Sequence, residues 1–307
     1  MTQDTIGDTP HADDSKSDDK EPINWFAELR SLFLMLLAVL AFHSLVAKPF
    51  YIPSGSMMPG LLVGDRLVVS KFPYGYSWVS ASFHVLPRSD WRIFGGTPAY
   101  GDVVIVVPPD RKEDYIKRVV ALPGDRIALR NGRIVLNGKV VPQEIEPAID
   151  VPVDTNTPCG YSSSGRIVEV LGEGSQRDEV CRIDVLRETM PNGASYLVTD
   201  AMEKSTDEMD EITVPEGHVF LMGDNRDFSS DSRVPSGFQQ GLGGPVPLTS
   251  VGGRAEFITF SLDGSAGWNP LKWWGALRDG RAWRSLRPER RPVPRAATAE
   301  PEESASR

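Results

Sequence analysis

The sequence predicts a mainly β protein carried on one N-terminal membrane helix, and three observations lead there. Gly (28) and Pro (25) are frequent among the 307 residues, which favours short elements joined by turns over a helical bundle. Short apolar, β-branched runs recur behind turn pairs such as Gly64-Asp65, Gly101-Asp102, Asn131-Gly132 and Asn137-Gly138. Only residues 31–47 form a long apolar run, 17 residues without a formal charge. A net charge of −9 and a pI of about 5.1 argue against a nucleic-acid binder.

Residues 1–22 are acidic and lack Leu, Val, Phe and Trp, so they bury too little surface to fold and read as a disordered tail. The apolar run is apolar all round rather than striped, as a lipid-facing helix is. Trp25 and Phe26 before it and Phe50 and Tyr51 after it extend it as interfacial anchors, giving an anchor over 25–50. A long acidic leader is unlike a cleaved signal peptide, so the anchor is expected to be retained. Next comes Pro53-Ser54-Gly55-Ser56-Met57-Met58-Pro59, followed by a strand in 61–71 and an aromatic, Gly- and Pro-rich loop or extended hairpin over 72–100. A strand follows at 103–107, then another within 114–125, interrupted by Lys-Arg and ended by a Pro-Gly turn, and then two hairpins turned by the Asn-Gly pairs.

Residues 143–211 are more polar and read as an inserted β-rich cap holding both cysteines, Cys159 and Cys181. In an oxidising compartment a bridge between them would close that loop and contribute about 3 kcal/mol. Val214–Met222 is a turn and a core strand running into the polar stretch 223–233, and 251–260 reads as a closing strand. Residues 268–307 form a basic tail with Trp268, Trp273, Trp274 and Trp283. Such a tail suits an anionic membrane surface or an amphipathic element packed on the domain.

Serine needs a base beside it to act as a nucleophile. The four histidines, His11, His43, His84 and His218, sit in no triad-like setting, and with two cysteines they match no metal-ligand spacing. No metal and no cofactor are expected. A lysine becomes a base when burial disfavours its charged form, and Lys117 stands inside the apolar strand Tyr115-Ile116-Lys117-Arg118-Val119-Val120. Alternation turns Arg118 to the opposite face. The pair could equally be solvated charges on an edge strand.

Three motifs in order behind an anchor decide between these readings: residues 53–59, Tyr115-Ile116-Lys117-Arg118 with Leu122-Pro123-Gly124-Asp125, and Gly223-Asp224-Asn225-Arg226-Asp227 through Ser229, Asp231, Ser232 and Arg233. Together, over about 25–260, they resemble bacterial type I signal peptidase. The resemblance implies a β-rich catalytic core over 51–142 and 212–262 interrupted by the cap. It implies Ser56 as nucleophile, Lys117 as general base, and an oxyanion hole from the Ser54 hydroxyl and the Ser56 N–H. Ser229 would bond and orient the lysine, Asp224 would pair with Arg118, and Asp231 with Arg233 would brace the site. Met57, Tyr115 and Ile116 would line pockets for small side chains. The implied substrates are exported preproteins cut after Ala-X-Ala-like sites, close to membrane lipid and the export machinery. The implied placement is a single inner-membrane pass with the N-terminus cytoplasmic and the catalytic part extracytoplasmic. The chain departs from the family pattern at Gly60, where Thr is usual, at Phe228, where Asn is usual, and over 234–238. The rival reading is a decayed, membrane-anchored β-rich binding protein of the same fold.

Overall fold

In the computed structural model, residues 24–81, 86–160, 165–171, 177–267 and 269–294 are described. The acidic tail, His11, His84, Trp268 and the last residues of the basic tail lie outside them. Helix α1, Trp25–Leu45, has 21 residues, none of them buried. At about 1.5 Å per residue it is about 30 Å long, the thickness of a hydrocarbon core. Asn24 caps it, its Oδ1 accepting from Ala27 N at 3.2 Å.

The helix stops earlier than the anchor drawn from the sequence. Ala47–Tyr51 is a strand, β1, antiparallel to β2 (Asp65–Ser70), with Phe50 opposite Leu67 and Tyr51 opposite Arg66. Phe50 and Tyr51 are therefore sheet residues rather than the far end of the span. Pro49 is tolerated because β1 is an edge strand.

The strands that follow are β3 (Val103–Val106), β4 (Tyr115–Ala121), β5 (Arg126–Arg130), β6 (Arg133–Leu136), β7 (Lys139–Val140), β8 (Gln143–Pro152), β9 (Arg166–Leu171), β10 (Arg177–Thr189), β11 (Ala194–Val198), β12 (Met209–Thr213), β13 (His218–Met222), β14 (Val246–Pro247), β15 (Val251–Ser261) and β16 (Glu289–Arg290). They form a seven-stranded sheet in the order β1-β2-β15-β3-β4-β13-β14, a four-stranded sheet β12-β5-β6-β7, and a cap sheet β16-β11-β10-β8 with β9 on β10. Both Asn-Gly turns form as expected. Asn131 and Gly132 have φ of 49° and 73°, and Asn137 and Gly138 have 53° and 76°, the double positive φ of the turn that matches strand twist.

One feature differs from the sequence reading, and two others decide between its alternatives. Strand β15 does not close the sheet but lies inside it, between β2 and β3. Strand β4 is interior too, between β3 and β13, which removes the edge-strand alternative for Lys117 and Arg118. Part of the basic tail belongs to the fold, since β16 pairs with β11 in the cap sheet. Its 3-10 helix Pro270–Ala276 leaves Leu271 and Trp274 exposed. Cys159 and Cys181, 22 positions apart, are bridged and tie the loop before β9 to β10.

An apolar cluster of Ile52, Met57, Leu61, Leu67, Val103, Ile105, Ile116 and Ile258 supports the serine loop from below. Met58 and Leu62 of the same loop pack instead on the cap residues Val151, Ile183 and Val185. The loop is thus wedged between core and cap, with little freedom to shift.

Candidate active site

Ser54 is extended (φ −140°, ψ 158°) and leads into a single 3-10 turn, Gly55–Met57. The leading N–H groups of such a turn have no acceptor inside it, so Ser56 presents both its hydroxyl and an N–H. Ser56 is buried, with 8% of its surface exposed. Ser54 is exposed, and its Oγ lies 3.5 Å from Ser56 Oγ.

Lys117 reaches the same hydroxyl from β4, its Nζ 2.9 Å from Ser56 Oγ. It stands on the strand face that also carries Tyr115 and Val119, both packed in the apolar cluster of Val104, Val106, Val219 and Leu221. Tyr115 places its ring 5.7 Å from the nitrogen. No carboxylate pairs with Lys117 among the described residues. Burial pulls its ammonium down from 10.5 to about 8; Asp231 and Asp224 oppose this and Arg233 reinforces it. A neutral amine beside a serine hydroxyl can accept the proton as that oxygen becomes a nucleophile.

The opposite face of β4 is built differently. Arg118 donates to Asp224 through Nε and Nη2, both at 2.6 Å, and to Gly101 O at 2.6 Å. Its guanidinium lies 4.1 Å from the Tyr196 ring. Burial alone would lower the Arg118 pKa, but Asp224 outweighs it and holds it above the usual value. Next to this pair Arg226 is fully buried against Glu188 of the cap. Asp231 takes two bonds from Arg233 at 2.9 Å and one from Gly223 N at 2.9 Å. Burial would push its carboxyl up; Arg233 and these bonds hold it below the usual carboxylate range.

The structure therefore gathers Ser54, Ser56, Lys117, Asp224, Arg118, Asp231 and Arg233 in the expected pairs. Met57 and Ile116 share one apolar cluster beside the dyad. One expectation fails. Ser229 does not bond Lys117: its buried Oγ has no well-formed hydrogen bond among the described residues, although its nearness helps hold the Asp231 carboxyl down. Its side chain packs over the Gly223 backbone instead, its Oγ occupying the space that a Cβ on Gly223 would need. Ser56 O would lie 2.5 Å from the same Cβ, so only glycine fits there. His218 is no rival base, its Nδ1 lying 2.9 Å from Glu216 O at the far end of β13.

Two neighbours of the site stand in or beside the motifs read from the sequence but are given no role there. Asn225 holds the serine turn, its N–H donating to Ser56 O and its Nδ2 to Gly55 O, both at 3.1 Å. Gly60 is the second: a Cβ added to it would stand 3.5 Å from Asp224 Oδ2. A longer side chain there would reach Asp224; in this chain Arg118 is left as that carboxylate's ion-pair partner.

The chain is similar to known proteins. The family model described as signal peptidase, peptidase S26, matches residues 24–260. A signal peptidase I of Rickettsia canadensis (strain McKiel) is 32% identical over 259 residues, covering 80% of this chain and 82% of the relative. One from Rickettsia bellii (strain OSU 85-389) is 31% identical over 256 residues, covering 80% and 75%. A crystal structure of a signal peptidase I from Enterococcus faecalis V583 aligns at 20% identity over 51% of this chain and 95% of that one, with a TM-score of 0.24, too low to bear on shape.

Proposed function

Because the chain belongs to the signal peptidase family, peptidase S26, whose members are membrane-bound serine endopeptidases that remove signal peptides by a Ser/Lys dyad, we propose that Ser56 is its nucleophile and Lys117 its general base. The observation that carries this is the buried 2.9 Å approach of Lys117 Nζ to Ser56 Oγ. The protein is held in the inner membrane by α1, the one helix among the described residues long and apolar enough to cross it, with the β-rich part extracytoplasmic. Its substrates are exported preproteins.

In the proposed reaction neutral Lys117 accepts the Ser56 proton as Oγ attacks the scissile carbonyl. The oxyanion is met by the Ser54 hydroxyl and the Ser56 N–H. Lys117 then gives the proton to the leaving amine, and the acyl-enzyme is released by a water that loses its proton to the same lysine. Asp224–Arg118 and Asp231–Arg233 act through position, fixing the strand and the polar loop that flank the dyad. Met57, Tyr115 and Ile116 would form shallow pockets that admit small side chains and exclude larger ones, giving cleavage after Ala-X-Ala. Proximity to the export machinery would follow from the substrates.

The test is cleavage of one preprotein carrying an Ala-X-Ala site by the parent, Ser56→Ala and Lys117→Ala proteins. Both variants should lose cutting by at least about a thousandfold. Parental cutting by Ser56→Ala would refute the assignment.

A further inference from the structure

We infer that Arg281, on the C-terminal return of the chain beyond the part matched by the family model, is a positioning residue for the Ser56 nucleophile. The inference rests on the proposed role of Ser56. After β15 the chain doubles back along that strand: Arg278 N bonds Ser261 O at 2.9 Å, Trp283 N bonds Ile258 O at 2.7 Å, and Leu286 N bonds Glu256 O at 2.8 Å. The Trp283 ring stacks on Phe257 at 5.4 Å. This return ends in β16, on the cap sheet, so it is fixed along its length.

From that fixed return Arg281 reaches into the serine loop. Its Nε donates to Asp65 Oδ1 at 2.9 Å, and its Nη2 donates to Asp65 Oδ2 at 2.5 Å and to Gly60 O at 3.1 Å. Asp65 is fully buried, and its Oδ2 also accepts from Leu62 N at 2.8 Å. The two ends of the loop meet at this residue: Ile52 N bonds Asp65 O, and Gly64 N bonds Ile52 O, both at 3.0 Å. Arg281 therefore locks the base of a closed loop, residues 52–65, whose tip carries Ser54 and Ser56. An ion pair serving stability alone would need only Asp65. The third bond, to Gly60 O, ties down main chain four residues from Ser56, and Leu61 N passes the constraint to Met57 O at 2.9 Å. Asn225 holds the tip and Arg281 the base.

The planar guanidinium fork meets both oxygens of the carboxylate and still reaches the carbonyl, a geometry that the single nitrogen of lysine reproduces only in part. Arg281 also lines a cavity of about 1000 Å³ with Pro59, Gly60 and Arg284, which gives a small cation access to the spot if the side chain is removed.

The experiment uses the full-length protein in detergent with a preprotein substrate, measuring kcat, KM and thermal midpoint for Arg281→Ala, Arg281→Lys and the remote control Arg126→Ala. Arg281→Ala is expected to lower kcat about 10- to 100-fold with KM within about twofold, as displacement of a reacting group does. Millimolar guanidinium should restore part of that kcat, and Arg281→Lys should fall between parent and Ala. A kcat within about twofold of the parent for folded Arg281→Ala overturns the inference. If the Ala protein does not fold, a parental kcat for Arg281→Lys overturns it. Ser56→Ala, run alongside, separates the two claims: its retained cutting sinks the nucleophile assignment, whereas inactive Ser56→Ala beside fully active Arg281→Ala sinks only the positioning role.

Discussion

The two faces of β4 bury neighbouring cations to the same depth, Lys117 with 4% and Arg118 with 6% of its surface exposed, and treat them in opposite ways. Arg118 receives a carboxylate by two short bonds, a carbonyl and an aromatic face, and its charge is secured. Lys117 receives a serine hydroxyl and apolar walls, and its charge is penalised. A buried cation with a full set of partners braces a strand; one denied a carboxylate becomes a base near neutral pH.

The largest effect expected from disturbing this contrast is on the braced face. Arg118→Ala would leave Asp224 buried without its ion-pair partner and cost about 3–5 kcal/mol of stability, read as a fall in denaturation midpoint. On the other face the sign reverses. Lys117→Met should abolish cutting yet stabilise the fold by about 3 kcal/mol at pH 7, the cost implied by a pKa lowered from 10.5 to about 8. The sign follows from the protons bound. Between about pH 8 and 10.5 the unfolded chain keeps the lysine proton that the folded chain has lost, so parental stability rises with pH there, and the Met variant should lack that rise. A smaller effect is expected from Asn225→Ala, which removes the bond to Gly55 O but leaves the main-chain bond to Ser56 O. Its kcat should fall about tenfold, the worth of one well-placed hydrogen bond, with KM little changed. Least of all, Arg126→Ala, breaking an exposed pair with Glu211, should move the thermal midpoint negligibly and leave kcat alone.

What the sequence revealed of these two faces was local. Alternation along Tyr115-Ile116-Lys117-Arg118 separates the two cations, and the turn pairs at Asn131 and Asn137 announce their hairpins because few other residues accept positive φ twice running. The hidden features depend on distant partners. Arg281 and Asp65 stand 216 positions apart, and nothing around either names the other. Glu188 of the cap gives no local sign that it will neutralise Arg226. Residues 47–51 read as the end of the anchor because Phe50 and Tyr51 suit a membrane interface as well as a strand; their role becomes visible only once β2 lies alongside. Motif order places Ser229 on the lysine, whereas packing over Gly223 directs its hydroxyl elsewhere.

The contrast between the two faces is tested most directly by the pH dependence of kcat/KM for preprotein cleavage, which reports the ionisation of the essential base in the free enzyme. With Lys117 as the base, kcat/KM should climb tenfold per pH unit on the acid side and level off above a midpoint of about 8. A midpoint near 10.5, the value of an unburied lysine, or a rate highest in acid would contradict it.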